Sequence, residues 1–160
     1  MDIRQDKMTL IIFSNDMDKA LAAFILATGA ASSGMQVSMF FTFWGLSLLR
    51  EGGKVHGRKT LIERMFGWIL PKGPDGTTLS KMHFLGAGTN LMKRIMRKKK
   101  ILQLHELMNI ALSLNVRFVA CTTSMKLMGI KQNELIENID VGGVATYLGD
   151  ARESTITLFI

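Results

Sequence analysis

The stretch from Ala20 to Leu49 contains no charged residue, and this feature restricts the fold more than any other. Such a stretch must be buried in a protein core or in a membrane, since a spanning helix needs only about 20 apolar residues. Residues 20–31 are rich in Ala and Leu, which favour a helix, whereas residues 37–43 are aromatic and β-branched, which favours a buried strand. The pattern predicts a helix and a strand of a globular protein, with a membrane-embedded segment as the alternative.

Other parts of the chain repeat this alternation of strand and helix. Residues 8–13 form a short apolar run typical of a buried strand, and alanines recur at helical spacing from Met17 to about Ser32. A chain of 160 residues, 48% of them hydrophobic, is sufficient for one domain with its own core. The sequence therefore predicts a single α/β domain over residues 1–160, doubly wound, with about five mainly parallel strands and helices on both faces.

Apolar spacing and turn residues also predict the later elements. Helices are expected at 61–70, 91–96, 102–114, 122–128 and 135–139, and strands at 116–120, 144–148 and 156–160. Turns are expected at Arg50 to Lys54, on the surface, and at Pro71 to Gly76. We assign a loop or helical insertion to about residues 50–82.

The chain has a single cysteine, Cys121. One thiol excludes an intramolecular disulfide and a cysteine-only metal site, and it is typical of a cytoplasmic protein. Cys121 directly follows the predicted strand 116–120 and precedes a helix, and ligands of parallel α/β sheets gather at this end of the strands. Unpaired N–H groups at the start of a helix favour the thiolate form. The position predicts a nucleophile, and a small buried apolar residue is the alternative.

Polar and flexible residues are expected around such a thiol. Ser14 and Asn15 end the first predicted strand, which would lie beside the Cys121 strand if both are central; their alternative role is to cap the next helix. The segment from Gly86 to Asn90 partly matches a phosphate-binding loop but lacks its third glycine, so a flexible loop is the alternative. The candidate pocket residues are Ser14, Asn15, Gly86, Gly88, Thr122, Thr123, Ser124 and Met125. The three histidines share no metal-ligand spacing, and we expect no metal and no cofactor.

The charge distribution along the chain is uneven. The net charge is +7, and six basic residues fall within positions 93–100, namely Lys93, Arg94, Arg97, Lys98, Lys99 and Lys100. This basic cluster forms either a solvated helix face or a docking patch for an acidic partner or an anionic ligand. It lacks interleaved aromatic residues and a nucleic-acid-binding motif, so nucleic acid is not a predicted partner.

Four segments carry a recognisable combination of motifs. They are residues 10–16 followed by an Ala-rich helix, residues 37–44, residues 86–93 and residues 120–130, where Cys-x-x-Ser-Met-x-x-Met-Gly is the most specific part. Together they resemble the DsrE/DsrF-like sulfur-relay proteins, and in particular the single-chain DsrE-type, "peroxiredoxin-like" branch. The resemblance implies a flavodoxin-like α/β fold and a homo-oligomer such as a trimer or hexamer.

The resemblance also implies a function in sulfur trafficking. The family's cysteine accepts sulfane sulfur as a persulfide from a rhodanese-type donor and passes it to a TusA-like acceptor, and Cys121 matches that position. Seven further residues match as pocket residues, namely Ser14, Asn15, Gly86, Gly88, Thr122, Ser124 and Met125. A second cysteine, which a peroxiredoxin would use to resolve its sulfenic acid, is absent, so single-thiol persulfide transfer is favoured over peroxidase chemistry.

Two hypotheses from different classes follow. The first is a cytoplasmic sulfurtransferase or sulfur carrier in which Cys121 holds the sulfur and the basic cluster docks a partner protein. The second is a non-catalytic membrane-face or partner-binding assembly module, which uses the uncharged segment 20–49 and the basic cluster.

Overall fold

A computed structural model of the protein describes residues 6–51, 60–82 and 84–160, apart from the side chains at 62, 63, 66 and 67. The strands are β1 (Lys7–Ile12), β2 (Gln36–Phe41), β3 (Arg117–Cys121), β4 (Asp140–Gly142) and β5 (Ile156–Phe159). The α-helices are α1 (Met17–Ser32), α2 (Leu61–Ile69), α3 (Ala87–Lys98), α4 (Leu104–Ser113), α5 (Thr122–Met128) and α6 (Val144–Glu153). Short 3₁₀ helices lie at Phe43–Leu49, Pro74–Gly76, Phe84–Gly86 and Gln132–Glu134.

The five described strands form one parallel sheet in the order β4-β3-β2-β1-β5. From β1 to β4 each strand is added beside the previous one, and the chain then returns to the opposite side of β1 for β5. Parallel strands of this kind are buried on both faces, which agrees with their apolar sequences. The prediction of an α/β fold with about five mainly parallel strands is confirmed.

Helices cover both faces of the sheet. On one face α1 packs against α4, and the rings of Phe24, Phe41 and Phe118 contact one another with centroids 5.3 to 6.2 Å apart. On the other face Tyr147 of α6 packs against Phe40, with ring centroids 5.6 Å apart. Neighbouring residues of a strand point to opposite faces, so Phe40 and Phe41 contact different helices.

The uncharged segment 20–49 belongs to the core of the protein. It comprises most of α1, all of β2 and the 3₁₀ helix Phe43–Leu49. Its fully buried side chains include Phe24, Phe41 and Leu46. In the part of the chain that the structure describes, no helix combines the length and apolar character needed to cross a bilayer. The predicted helix and strand are confirmed, and burial in the core accounts for the missing charges on the inward side of the segment, whereas Ile25, Leu26 and Trp44 are exposed.

The C-terminal part differs most from the prediction. Residues 144–148, predicted as a strand, lie in α6, and residues 135–139, predicted as a helix, are irregular and lead into the unpredicted β4. Val144 and Leu148 occupy alternate positions with Thr146, as strand residues would, so a short window fits a strand. In the structure these residues begin α6, and Tyr147 of this helix packs against Phe40 of the sheet. The last strand, predicted at 156–160, is confirmed as β5.

Arg50 is buried, although it was expected in a surface turn, and only 3% of it is exposed. Its backbone forms an antiparallel bridge with Leu135, and its guanidinium Nη2 lies 3.6 Å from Oε2 of Glu134. The surface prediction is wrong at Arg50 because the segment around Glu134 covers it and provides the opposite charge that a buried cation requires. The end of the predicted turn, at Lys54, lies outside the described residues.

Candidate functional site

Cys121 ends β3 and directly precedes α5. The end of β2 lies on one side of it, and Gly142 of β4 is its partner on the other side. Only 7% of the residue is exposed, so the thiol at the carboxyl end of the sheet is buried. The helix that follows ends at Gly129, whose φ of 63° is the left-handed conformation that terminates many helices. The predicted order of strand, cysteine and short helix is confirmed.

Two hydroxyl groups lie beside the Cys121 thiol. Thr42 follows β2 and Ser124 belongs to the first turn of α5, and their hydroxyl oxygens are 2.9 Å apart. The backbone N–H of Phe43 donates a hydrogen bond to Oγ of Ser124 at 3.0 Å. The hydrogen bond between the two hydroxyls uses one of their two protons. The second proton is available for donation to the sulfur.

The contacts of Cys121 change the acidity of its thiol. Burial by itself raises the pKa of Cys121, because it removes water from around the thiolate. Hydrogen bonds from the N–H groups of Ser124 and Thr123, and from the hydroxyl pair of Ser124 and Thr42, have the opposite effect. They outweigh burial, so the pKa of Cys121 is lower than that of an ordinary cysteine. A larger fraction of the thiol is therefore the nucleophilic thiolate at neutral pH.

A tight turn after β2 holds Thr42 and Phe43 in position. Phe43 has a φ of 44°, in a region that residues other than glycine rarely adopt. At Gly45, an added Cβ would lie 2.1 Å from the backbone oxygen of Ile12, so glycine alone lets the turn pass this close to β1. The close approach fixes the turn that directs the Phe43 N–H to Ser124.

The structure brings four of the candidate pocket residues together with Cys121, because Thr122, Thr123, Ser124 and Met125 form the start of α5. We call this arrangement of Cys121, Thr42 and the start of α5 the Cys121 junction. Thr42 is absent from the sequence-based candidates, although its position at a strand end next to a polar helix start was a usable signal. Within residues 6–51, 60–82 and 84–160, no group of three or more His, Cys, Asp or Glu side chains is arranged to hold a metal ion.

Ser14 and Asn15 follow β1, but β2 lies between β1 and β3. The expectation that their strand adjoins the Cys121 strand is therefore wrong, since only the pairing of strands decides their order. Oγ of Ser14 accepts a hydrogen bond from the N–H of Asp16 at 3.1 Å, and Nδ2 of Asn15 donates to Oγ of Ser47 at 3.2 Å. These bonds stabilise the turn into α1 and its contact with the 3₁₀ helix Phe43–Leu49.

The glycine-rich segment 86–90 is mostly helical. Gly86 has a φ of 95°, and α3 begins at the next residue, so Gly88 lies within the helix. Thr89 is buried, and its hydroxyl accepts a hydrogen bond from the N–H of Leu79 at 3.1 Å. The alternative of a flexible loop at Gly86 to Asn90 is wrong, because residues 87–90 form the first turn of α3. The buried hydrogen bond of Thr89 fixes this turn against the preceding chain.

The basic cluster lies on α3 and directly after it. Lys93 donates to the backbone oxygen of Asp75 at 2.8 Å, which links α3 to a segment that packs against α4. The remaining members, Arg94, Arg97, Lys98, Lys99 and Lys100, are exposed. The cluster is therefore carried by different elements from those that form the Cys121 junction.

A family model and two relatives match nearly the whole chain. The model of the DsrE/DsrF/DrsH-like family matches residues 4–159. The chain is 44% identical to YrkE of Bacillus subtilis (strain 168), described as an uncharacterized protein, with 96% of each chain covered. It is 32% identical to the sulfur carrier protein DsrE2 of Allochromatium vinosum, covering 99% of this chain and 100% of that protein.

A solved structure shares the fold. The ychN protein from E. coli has a TM-score of 0.58, with 98% of this chain and 99% of that chain covered. The sequences are only 11% identical, so this likeness concerns the fold alone.

Proposed function

Because this chain belongs to the DsrE/DsrF/DrsH-like family, we propose that it carries sulfur in a relay between proteins, with Cys121 as the residue that holds the sulfur. A relative that is 32% identical over its whole length is named a sulfur carrier protein. Cys121 is the only cysteine of the chain, so sulfur bound to cysteine can be bound only there. The observation that carries the proposal is the Cys121 junction, whose hydrogen-bond donors lower the pKa of the thiol.

The transfer step follows from the chemistry of a thiolate. The Cys121 thiolate attacks the terminal sulfur of a donor persulfide, R–S–SH, and forms a new S–S bond. The donor's own S–S bond breaks, and the donor leaves as the thiolate R–S⁻. The product is Cys121–S–SH, and the exchange needs no external oxidant or reductant. An acceptor thiolate then removes the terminal sulfur in the same way and returns Cys121 to its thiolate form.

The family also suggests the partners of this relay. In the proposed relay a rhodanese-type protein donates the sulfur, a TusA-like protein accepts it, and both act in the cytoplasm on a homo-oligomer of this chain. The basic cluster is the proposed docking site for an acidic surface of one partner, because charges of one sign accelerate encounter with the opposite sign.

Mass spectrometry of the intact protein tests this proposal. After incubation with glutathione persulfide, or with thiosulfate and a rhodanese, the protein is expected to gain the mass of one sulfur atom, which a reducing thiol removes. The Cys121→Ser variant is the control, and circular dichroism checks that it is folded. The sulfur-carrier function is wrong if the native protein gains no more sulfur than the Cys121→Ser variant.

A second candidate function is favoured by the surface of α3 and the chain before it. Phe84, Leu85 and Leu91 are largely exposed. Residues 76–105 contain seven basic residues and no acidic residue. Exposed apolar groups beside cations are typical of surfaces that bind anionic membranes. Much of the uncharged segment 20–49 is buried in the core, so this alternative rests on the surface of α3 and the chain before it.

Co-sedimentation with phosphatidylglycerol vesicles tests the second candidate. Binding is expected to weaken with added salt and in a variant with Lys98→Gln, Lys99→Gln and Lys100→Gln, and to be unchanged by Cys121→Ser. If the native protein stays in solution at low salt, this candidate is rejected.

A further inference from the structure

We propose that the side chain of Tyr147 on α6 controls which molecules reach the sulfur of Cys121. Only 7% of Cys121 is exposed, whereas sulfur transfer requires a second sulfur atom to touch its thiolate. A large donor or acceptor therefore reacts only after a group that covers the thiol has moved. The inference rests on the proposed sulfur-relay function and names the residue that makes its site selective.

The side chain of Cys121 lies on the face of the sheet that α6 covers. Along β3, Phe118 belongs to the core formed with α1 and α4, whereas Val119 and Cys121 form a second cluster with Phe40. Neighbouring residues of a strand point to opposite faces, so the two clusters lie on opposite sides of the sheet. Tyr147 is partly buried and packs against the second cluster. Its ring is therefore on the same side of the sheet as the thiol.

The first turn of α6 lies over the end of the Cys121 strand. Thr42 and Ser124 flank the thiol from β2 and α5. On the other side its strand partner is Gly142, which has no side chain. A Cβ added at Gly142 would lie 2.7 Å from Oγ1 of Thr146, so this residue of α6 occupies the space that a side chain would fill. Paired residues of neighbouring strands point to the same side, and α6 thus closes the site from above.

The two halves of α6 are held differently. In the second half, the carboxylate of Asp150 accepts hydrogen bonds from side chains of β1, β2 and β3. The first half begins at Gly143 without a side-chain cap, and the ring of Tyr147 contacts the ring of Phe40 with centroids 5.6 Å apart. An aromatic contact of this kind is weaker than hydrogen bonds between charged groups. We expect the ring to swing away from the thiol while the second half of α6 stays in place.

A ring over a reactive sulfur selects molecules by size. The reactivity of a thiolate towards oxidants and disulfides depends on its exposure. With the ring of Tyr147 in place, a narrow approach to Cys121 admits small molecules, and larger ones must wait until the ring is displaced. A partner protein that contacts α6 can displace the ring as it docks. The sulfur on Cys121 is thereby exchanged with a docked partner in preference to free molecules of similar bulk.

Two maleimides of different size test this function of Tyr147. N-ethylmaleimide and N-(1-pyrenyl)maleimide are both uncharged and add to a thiolate by the same reaction, so the ratio of their rates is independent of the thiolate fraction. The ratio is measured for Cys121 by mass spectrometry and compared with that for free glutathione. We expect native Cys121 to favour the small reagent more strongly than glutathione does. In Tyr147→Ala this preference is expected to fall roughly two- to tenfold, the range that the loss of one aromatic contact gives.

Conservative and neighbouring substitutions provide the controls. Tyr147→Phe retains the ring and is expected to retain the native preference. Leu148→Ala removes the next side chain of α6, which is 57% exposed, and is also expected to leave the preference unchanged. Circular dichroism checks the fold of each variant, and Tyr147→Leu, with an intermediate preference expected, replaces Tyr147→Ala if the latter does not fold.

Three results would overturn the inference. The first is a native preference in the Tyr147→Ala or Tyr147→Leu variant. The second is an equal loss of preference in Leu148→Ala, which would show a general loosening of α6. The third is a loss in Tyr147→Phe as large as that in Tyr147→Ala, which would assign the effect to the hydroxyl group.

The maleimide rates do not involve sulfur transfer, so they separate this inference from the sulfur-relay function. If Cys121 gains no sulfur from glutathione persulfide while Tyr147→Ala loses the preference for the small reagent, the relay function fails and the role of Tyr147 stands. If Cys121 carries sulfur while Tyr147→Ala keeps the native preference, the relay function stands and the role of Tyr147 is overturned.

Discussion

The two ends of the parallel sheet differ in how they stabilise charge. At the amino end, Nζ of Lys7 lies 2.9 Å from Asp150, and the guanidinium of Arg117 lies 2.8 Å from Asp150 and 2.6 Å from Asp140. Each of these charged groups has an opposite charge beside it. The hydrogen bond with Asp150 raises the pKa of Lys7 more than burial lowers it, so this lysine stays charged at physiological pH.

At the carboxyl end, neutral groups surround the thiol. The hydroxyls of Thr42 and Ser124 and the N–H groups of Thr123 and Ser124 act on the sulfur of Cys121. These groups stabilise a negative charge that exists only when the thiol is ionised or when it carries a persulfide. The comparison indicates that ion pairs at the amino end stabilise the fold, whereas the carboxyl end keeps its sulfur reactive.

The largest expected effect is that of Gly45→Ala. This substitution tests whether the turn after β2 needs the close approach of its backbone to β1. Gly45→Ala would place a Cβ 2.1 Å from the backbone oxygen of Ile12, so the turn that holds Thr42 must move. We expect the free energy of unfolding to fall by about 3 kcal/mol or more, measured by urea denaturation.

Gly29→Ala is the matched control for this substitution. Gly29 lies inside α1, and an added Cβ would meet no atom within 4 Å. Alanine favours the helix, so the free energy of unfolding is expected to rise by about 0.5 to 1 kcal/mol. Equal destabilisation by both substitutions would contradict the proposed fit at Gly45.

The next substitution, Asp150→Asn, is expected to change the stability of the fold but not the reactivity of Cys121. Asp150→Asn removes the charge shared by Lys7 and Arg117 and weakens the acceptor for Ser38, whose Oγ lies 3.1 Å away. We expect a loss of about 2 kcal/mol in the free energy of unfolding and less than about a twofold change in alkylation of Cys121 by iodoacetamide.

Asp140→Asn is the control at the same end of the sheet. Asp140 is more exposed than Asp150 and pairs with Arg117, so its loss is expected to cost less than about 1 kcal/mol. A large change of thiol reactivity in the Asp150→Asn variant would show that the two ends of the sheet are coupled.

The smallest effect concerns the pKa of Cys121. Thr42→Val and Ser124→Ala each break the hydroxyl pair that favours the thiolate, so each is expected to raise the pKa of Cys121. At about pH 7 the alkylation rate is expected to fall roughly three- to tenfold, because a smaller fraction of the thiol is ionised. At a pH above the pKa of native and variant thiols, the rates converge.

Rates of iodoacetamide alkylation between about pH 5 and pH 10 give the midpoint for each protein. Thr28→Val serves as the control, because the hydroxyl of Thr28 bonds to the backbone oxygen of Phe24 in α1. Its midpoint is expected to equal that of the native protein. Identical midpoints for Thr42→Val, Ser124→Ala and the native protein would show that the hydroxyls do not control the thiol.

The sequence predicts the elements whose local pattern and burial agree. Residues 8–13, Met17 to Ser32 and the run into Cys121 each have one consistent hydrophobic pattern, and each forms the predicted element. The C-terminal part is ambiguous over short windows. Residues 144–148 fit a strand by alternation, but they form the start of the ten-residue helix α6, whose Tyr147 packs against Phe40 of the sheet.

In the Cys121 junction, too, the sequence predicts some features and tertiary contacts decide others. Its strand, cysteine and polar helix start are consecutive, so the sequence by itself determined that a lone thiol would lie at the carboxyl end of a strand. The tertiary structure alone decided that Thr42 adjoins this thiol and that β2 separates it from Ser14. The physical reason is that strand order and ion pairs such as Lys7 with Asp150 join residues far apart in the chain, and no local periodicity records such contacts.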